Sequence, residues 1–196
     1  MSKTPQPDPS VAEFVAPRPG EGSLVARLAE ILRVDHAGEL GAVAIYRGQR
    51  AVLGEARGQA RAAGQLAEME AQEAEHLARF ETLIAQRRVR PTVLAPIWRV
   101  AGFALGAGTA LLGEKAVHAC TEAVETVIEQ HYAGQIEELA ALEPELAAEL
   151  SKFRAEELAH RDHAVEEGAR EAPAHRLLSA VIGAGCRAAI KLSEKL

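Results

Sequence analysis

The sequence predicts an all-α protein, built as four long helices that can form a bundle, with two additional apolar helices. Three observations carry this. Ala, Leu and Glu dominate while aromatics make up only 4% of the 196 residues, a mixture that loses little rotamer freedom in a helix. Apolar residues recur at helical spacing, as Leu66, Met69, Leu77, Phe80 and Ile84 do, and nowhere alternate as a strand requires. Turn-forming Gly54, Pro91, Pro144 and Pro173 fall between the periodic stretches.

Residues 1–21 hold five of the nine prolines and no apolar core of a signal peptide, so they read as a flexible N-terminal arm preceding one domain, 22–196. Ser23 is the expected N-cap of a first helix over 24–53, ended by Gly54. A second helix is predicted over about 59–86, stopped at Arg90-Pro91, because the residue before proline disfavours the helical region. Residues 92–113 carry one charge, Arg99. Their length approaches a membrane span, but Pro96, Arg99, Gly102, Gly106 and Gly108 favour a kinked or interfacial helix instead. A fourth helix covers about 114–140, a fifth about 145–169 with Pro144 at its start, and a sixth about 174–195, opened by Pro173.

Composition narrows the function. The net charge is −6 and no Lys/Arg block is present, which excludes a nucleic-acid groove. Cys120 and Cys186 lack metal-ligand spacing and read as free thiols in a reducing compartment.

Glu73–His76 and Glu157–His160 both read Glu-x-x-His within predicted helices. Glu is abundant enough for such a match to arise by chance, so arrangement carries the weight. Residues i and i+3 share a helix face, so each pair can present a carboxylate and an imidazole to one ion. Glu39 lies 34 residues before Glu73, and Glu125 lies 32 before Glu157. Glu followed by Glu-x-x-His, given twice at nearly equal spacing, matches the constellation of ferritin-like di-iron bundles, in which two such pairs are joined by a bridging Glu from each of the other two helices. Four carboxylates and two neutral imidazoles neutralise two divalent ions, and a mixed set of this kind suits iron or manganese better than structural zinc. Glu122 and Glu129 share the helix face of Glu125 and compete with it. His36, one turn before Glu39, is a further candidate ligand, and Asp35 a candidate anchor for a ligand imidazole. Glu70, Glu75 and Glu156 read as solvated surface, and His163 as an exposed or hydrogen-bonded histidine.

At RVDHAGELGAVAIYRGQ (33–49) the chain resembles the demethoxyubiquinone hydroxylase family. The likeness continues through MEAQEAEHLARFETL (69–83), RPTVLAPIW (90–98), ALLGEKAVHACTEAVETVIEQHY (110–132), KFRAEELAH (152–160) and AGCRAAIKLSEKL (184–196). The resemblance implies a ferritin-like fold and a metal set of Glu39, Glu73, His76, Glu125, Glu157 and His160, choosing Glu125 over its neighbours. It implies two iron ions, O2 and an external electron donor, NADH or a reductase, since no dinucleotide-binding glycine motif is present. The implied reaction is hydroxylation of a polyprenyl methoxy-benzoquinone, a late step of ubiquinone biosynthesis. Tyr132, seven residues after Glu125, and the adjoining His131 are candidate catalytic residues, with a core tyrosine as the plain alternative for Tyr132.

A substrate with an isoprenoid tail would live in the bilayer. The expected surface is peripheral, on the cytoplasmic face of the bacterial inner membrane. Trp98, Phe103, Leu105, Leu111 and Leu112 would sit in the interface with Arg99 at the headgroups. Leu177, Leu178, Val181, Ile182 and Ile190 would join them, with Arg187, Lys191 and Lys195 for anionic lipid. Gly102, Gly106 and Gly108 would let the tail pass close to backbone. Ordinary core, a homodimer interface or a partner protein of a quinone-biosynthesis complex are the other occupants of these helices. The rival functions are a ferritin-like iron oxidase or store, a metal-free helical adaptor, and a di-iron enzyme acting on another membrane lipid.

Overall fold

The structure is a computed structural model that describes residues 21–54 and 60–196. The arm expected over 1–21 therefore lies outside the described residues, apart from Glu21. Six α-helices follow in order: α1 (Glu21–Leu53), α2 (Ala60–Gln86), α3 (Ala95–Leu111), α4 (Glu114–Leu139), α5 (Pro144–Glu166) and α6 (His175–Lys195). Among the described residues there is no strand.

The helices α1, α2, α4 and α5 make the bundle. α1 packs on α2 and α4 on α5, so the bundle is two helical hairpins set face to face, with α3 as the crossover between them. Pro96 lies in the first turn of α3, where its missing N–H costs nothing, so it opens that helix; α3 then runs unbroken to Leu111. The chain reverses into α4 at Gly113, whose φ of 104° is open to glycine and strained for other residues.

Two apolar layers fill the bundle. Ile31, Leu32, Phe80, Leu139, Leu150 and Phe153 pack at one end. Leu53, Leu66, Met69 and Val117 pack at the other. Each such side chain contributes about 1.5–3 kcal/mol on leaving water. The polar residues singled out by the motifs lie between these layers, so the apolar ends hold together a middle that would not hold itself.

α3 lies along the outside of α1, and α6 covers α4 and α1. The first contact is backbone on backbone. A Cβ at Gly106 would collide with the Ile45 carbonyl, and one at Gly48 with the Phe103 carbonyl. Gly102 likewise faces the Gly41 carbonyl at 2.8 Å from its would-be Cβ. Gly102 and Gly106 thus serve helix–helix approach, Gly102 also lines the apolar groove between α1, α3, α4 and α6, and Gly108 has nothing near it. Trp98 Nε1 donates to Ser193 Oγ at 2.9 Å and ties α3 to α6.

Candidate metal centre

Glu39 comes from α1, Glu73 and His76 from α2, Glu125 from α4, and Glu157 and His160 from α5. All six are at most 5% exposed. Their donor atoms form two groups, each within 4.8 Å: Glu39, Glu73, His76 and Glu157; and Glu73, Glu125, Glu157 and His160. The residues common to both are Glu73 and Glu157. The sharing therefore falls on the two Glu-x-x-His carboxylates, and the expectation that the lone Glu39 and Glu125 would bridge is corrected. The reason is geometric: α2 and α5 present their motifs toward each other, whereas α1 and α4 each supply one carboxylate to one side.

The two imidazoles are oriented alike. His76 Nδ1 faces inward, 3.2 Å from Glu157 Oε1 and 3.7 Å from both Glu39 Oε2 and Glu73 Oε2. His160 Nδ1 lies 3.1 Å from Glu73 Oε1 and 3.5 Å from Glu157 Oε2. Each Nε2 points outward to the residue that precedes the opposite motif. His76 Nε2 meets Glu156 Oε2 at 2.6 Å, and His160 Nε2 meets Gln72 Oε1 at 2.5 Å. Glu156 thus contacts a motif histidine, correcting its reading as solvated surface.

The lone glutamates are crossed in the same way. Tyr46 Oη, on α1, donates to Glu125 Oε1 on α4 at 2.8 Å, and Tyr132 Oη, on α4, donates to Glu39 on α1. Both tyrosines are 1% exposed. Sequence reading singled out Tyr132 and missed Tyr46. The signal was present: Tyr46 follows Glu39 by seven residues, as Tyr132 follows Glu125.

Burial is hostile to this much charge. It raises Glu39 and Glu125 well above the usual carboxylate range, with repulsion from Glu73 and Glu157 adding to it. Glu73 resists burial through contacts with His160 and His76, which bring it down to about 2. Burial pulls His160 down, but Glu157 and Glu73 outweigh it and lift it to about 9; His76 is raised further by Glu157, Glu39 and Glu73 against the same burial. Eight buried atoms of the six residues still have no hydrogen-bond partner: Glu39 Oε2, both oxygens of Glu73 and of Glu157, Glu125 Oε2, His76 Nδ1 and His160 Nδ1. Orphaned donor atoms that face one another are costly as a polar core and are what a pair of cations satisfies. The donor chemistry fits iron.

The rivals are placed elsewhere. Glu122 accepts from Arg170 at 3.1 Å and pairs with His175 at 2.7 Å, holding the start of α6. Glu129 accepts from Arg154, and Glu70 is paired with Arg47 and Arg50. His36 is buried but belongs to neither donor group. Asp35 meets Gln135 at 2.8 Å and His131 at 3.5 Å rather than a motif imidazole. His131 is thereby joined to α1 one turn before Glu39 and does not reach the six donors, whereas Tyr132 touches them.

Residues 26–193 match the family model described as Ubiquinone biosynthesis protein COQ7. The chain is 53% identical over 178 residues to the 3-demethoxyubiquinol 3-hydroxylase of Rhodospirillum rubrum, covering 91% of this chain and 82% of the relative. It is 52% identical over 170 residues to the NADPH-dependent 3-demethoxyubiquinone 3-hydroxylase, mitochondrial, of Bos taurus, covering 85% and 76%. It is 39% identical over 186 residues to the 5-demethoxyubiquinone hydroxylase, mitochondrial, of Saccharomyces cerevisiae, covering 87% and 79%. A buried carboxylate–imidazole centre inside an all-α bundle and these likenesses lead to one conclusion: the chain belongs to the family of ubiquinone biosynthesis protein COQ7, and like these relatives it is a hydroxylase, an oxidoreductase.

Proposed function

We propose that the protein hydroxylates a polyprenyl methoxy-benzoquinone, demethoxyubiquinone, at a pair of iron ions. One atom of O2 enters a ring carbon and the other leaves as water, with two electrons and two protons drawn from an external donor, NADH or a reductase. The observation that carries this reading is the pair of four-donor groups sharing Glu73 and Glu157. Glu39 and His76 would complete one ion's set, and Glu125 and His160 the other's. Bound iron supplies O2 activation, which no side chain here can perform. The protein's own share is to hold the donors: Glu156 and Gln72 fix the imidazole rings, and Tyr132 and Tyr46 donate to Glu39 and Glu125 and so orient those carboxylates.

The substrate ring and the start of its tail would lie in an apolar groove of about 400 Å3 between α1, α3, α4 and α6. Its wall includes Gly38 and Val124, the sequence neighbours of Glu39 and Glu125, so it runs alongside the donor layer. Ile45, Trp98, Leu105 and Ile182 provide tail contacts.

The groove opens between helices whose outer rows are apolar. Ile97, Val100, Phe103 and Leu111 of α3, and Leu177, Val181 and Leu192 of α6, are between 45% and 76% exposed. Leu112 is exposed beside them, while Trp98, Leu105, Leu178, Ile182 and Ile190 turn inward. Among the described residues no helix is long and apolar enough to cross a membrane. We place this face flat on the inner membrane, with exposed Arg187 and Lys191 toward anionic lipid; Lys195 is paired with Glu30 at 3.0 Å. The test is to give the iron-loaded protein demethoxyquinone, O2 and reductant and to look for one added oxygen by mass spectrometry. No oxygenated product from the wild-type protein would overturn the reading. Flotation with anionic vesicles, lost in Phe103→Asp and Val181→Asp, tests the membrane face.

A further inference from the structure

A second cluster of metal-binding side chains stands at the far end of the same helix pair. Glu114 is in the first turn of α4, His118 is one turn on, and Glu167 is the C-cap of α5. One donor atom from each lies within 4.8 Å of the other two. His118 is 2% exposed, and its Nε2 has no hydrogen-bond partner, although Glu114 Oε1 is 3.9 Å away. A buried imidazole nitrogen aimed at two carboxylates and bonded to neither is an unexplained expense in this fold. Burial keeps His118 below its ordinary value, so the ring is neutral and its lone pair is available near pH 7.

We propose that His118, Glu114 and Glu167 form a separate site for one divalent transition-metal ion at this end of the bundle. His118 precedes Glu125 by seven residues, and Glu167 follows His160 by seven. Two helical turns, about 10 Å, therefore separate this cluster from the candidate iron centre on both helices. One imidazole and two carboxylates suit a borderline ion such as Zn2+ or Fe2+ better than Ca2+ or Mg2+, whose sites are built from oxygen. Water completes the coordination at the half-exposed Glu114. The local field favours a cation as well, because Glu167 sits at the carbonyl end of α5, where a lone carboxylate is disfavoured. At present Arg61 and Gln65, from the start of α2, serve Glu167. The Arg61 side chain is 69% exposed and its ion pair is of the weak surface kind, so an ion displaces it easily. His163 stands beside the site, its ring 6.4 Å from that of His118 and edge-on.

Equilibrium dialysis of the full chain against zinc chloride tests the proposal, and it does not depend on which reaction the protein performs. His118→Ala is expected to bind one zinc ion per chain fewer than the wild type. A His76→Ala/His160→Ala variant should keep that ion. Glu114→Gln and Glu167→Gln, both at partly exposed positions, guard against a misfolded His118 variant and should weaken the same ion by about tenfold or more, at least what loss of an outer partner costs a metal site. If His118→Ala and Glu114→Gln bind as many zinc ions as tightly as the wild type, the site does not exist.

Discussion

Glu156 Oε2 lies 2.6 Å from His76 Nε2, on the side of the ring away from the centre. The residue before one Glu-x-x-His motif thus holds the histidine of the other, and Gln72 does the same for His160 at 2.5 Å. An imidazole held through Nε2 can turn only its Nδ1 to a metal. Glu156→Ala and Gln72→Ala should therefore weaken iron binding by roughly 10–100-fold each while leaving all six donors in place. Iron titration of the purified variants measures this.

The sharing of Glu73 and Glu157 sets an order among substitutions. Glu73→Ala or Glu157→Ala removes a donor from both groups, and iron content should fall below one ion per chain with product lost. Glu39→Ala or Glu125→Ala touches one group, and about one ion should remain. Helix content by circular dichroism should stay near wild type in all four, because the two apolar layers are untouched.

The metal-free protein should lose stability as pH rises. His160 is held at about 9, above its unfolded value of about 6.5, so the stability it contributes is complete below pH 6.5 and disappears as pH passes 9. Glu39 and Glu125, raised by burial, act in the same direction. The melting temperature of the metal-free protein should fall between pH 6.5 and 9. The iron-loaded protein should be nearly flat over that range, since metal replaces the protons.

Tyr46→Phe and Tyr132→Phe each strip a buried glutamate of its donor. Each should cost about 1–3 kcal/mol of unfolding free energy in the metal-free protein, the range for leaving a buried acceptor unsatisfied. Urea denaturation reads the loss, and the two should be similar because the crossed pairs are equivalent.

Gly106→Ala places a methyl group against the Ile45 carbonyl and forces α3 away from α1. The expected loss is about 1–3 kcal/mol by urea midpoint. Gly108→Ala, which meets nothing, should be neutral or slightly stabilising.

Helix periodicity and turn residues determined the six helices almost to their ends. α1 already includes Glu21, the first described residue, where a start at 24 was expected; α5 ended at Glu166 instead of 169, and α6 began at His175, after a turn that contains Pro173. Three-residue spacing also put Glu73 with His76 and Glu157 with His160 on one helix face each before any packing is known, but on α4 it left Glu122, Glu125 and Glu129 open, and the family resemblance chose Glu125. What spacing along one chain cannot express is which faces meet. Only the tertiary structure decided that Glu73 and Glu157 are the shared pair, that each tyrosine serves the glutamate of the opposite helix, and that Glu122 turns away to Arg170 and His175. Helical repeat fixes a side chain's direction about its own axis; the rotation of one helix against another is set by packing across the interface, and here by glycines that bring α3 onto α1.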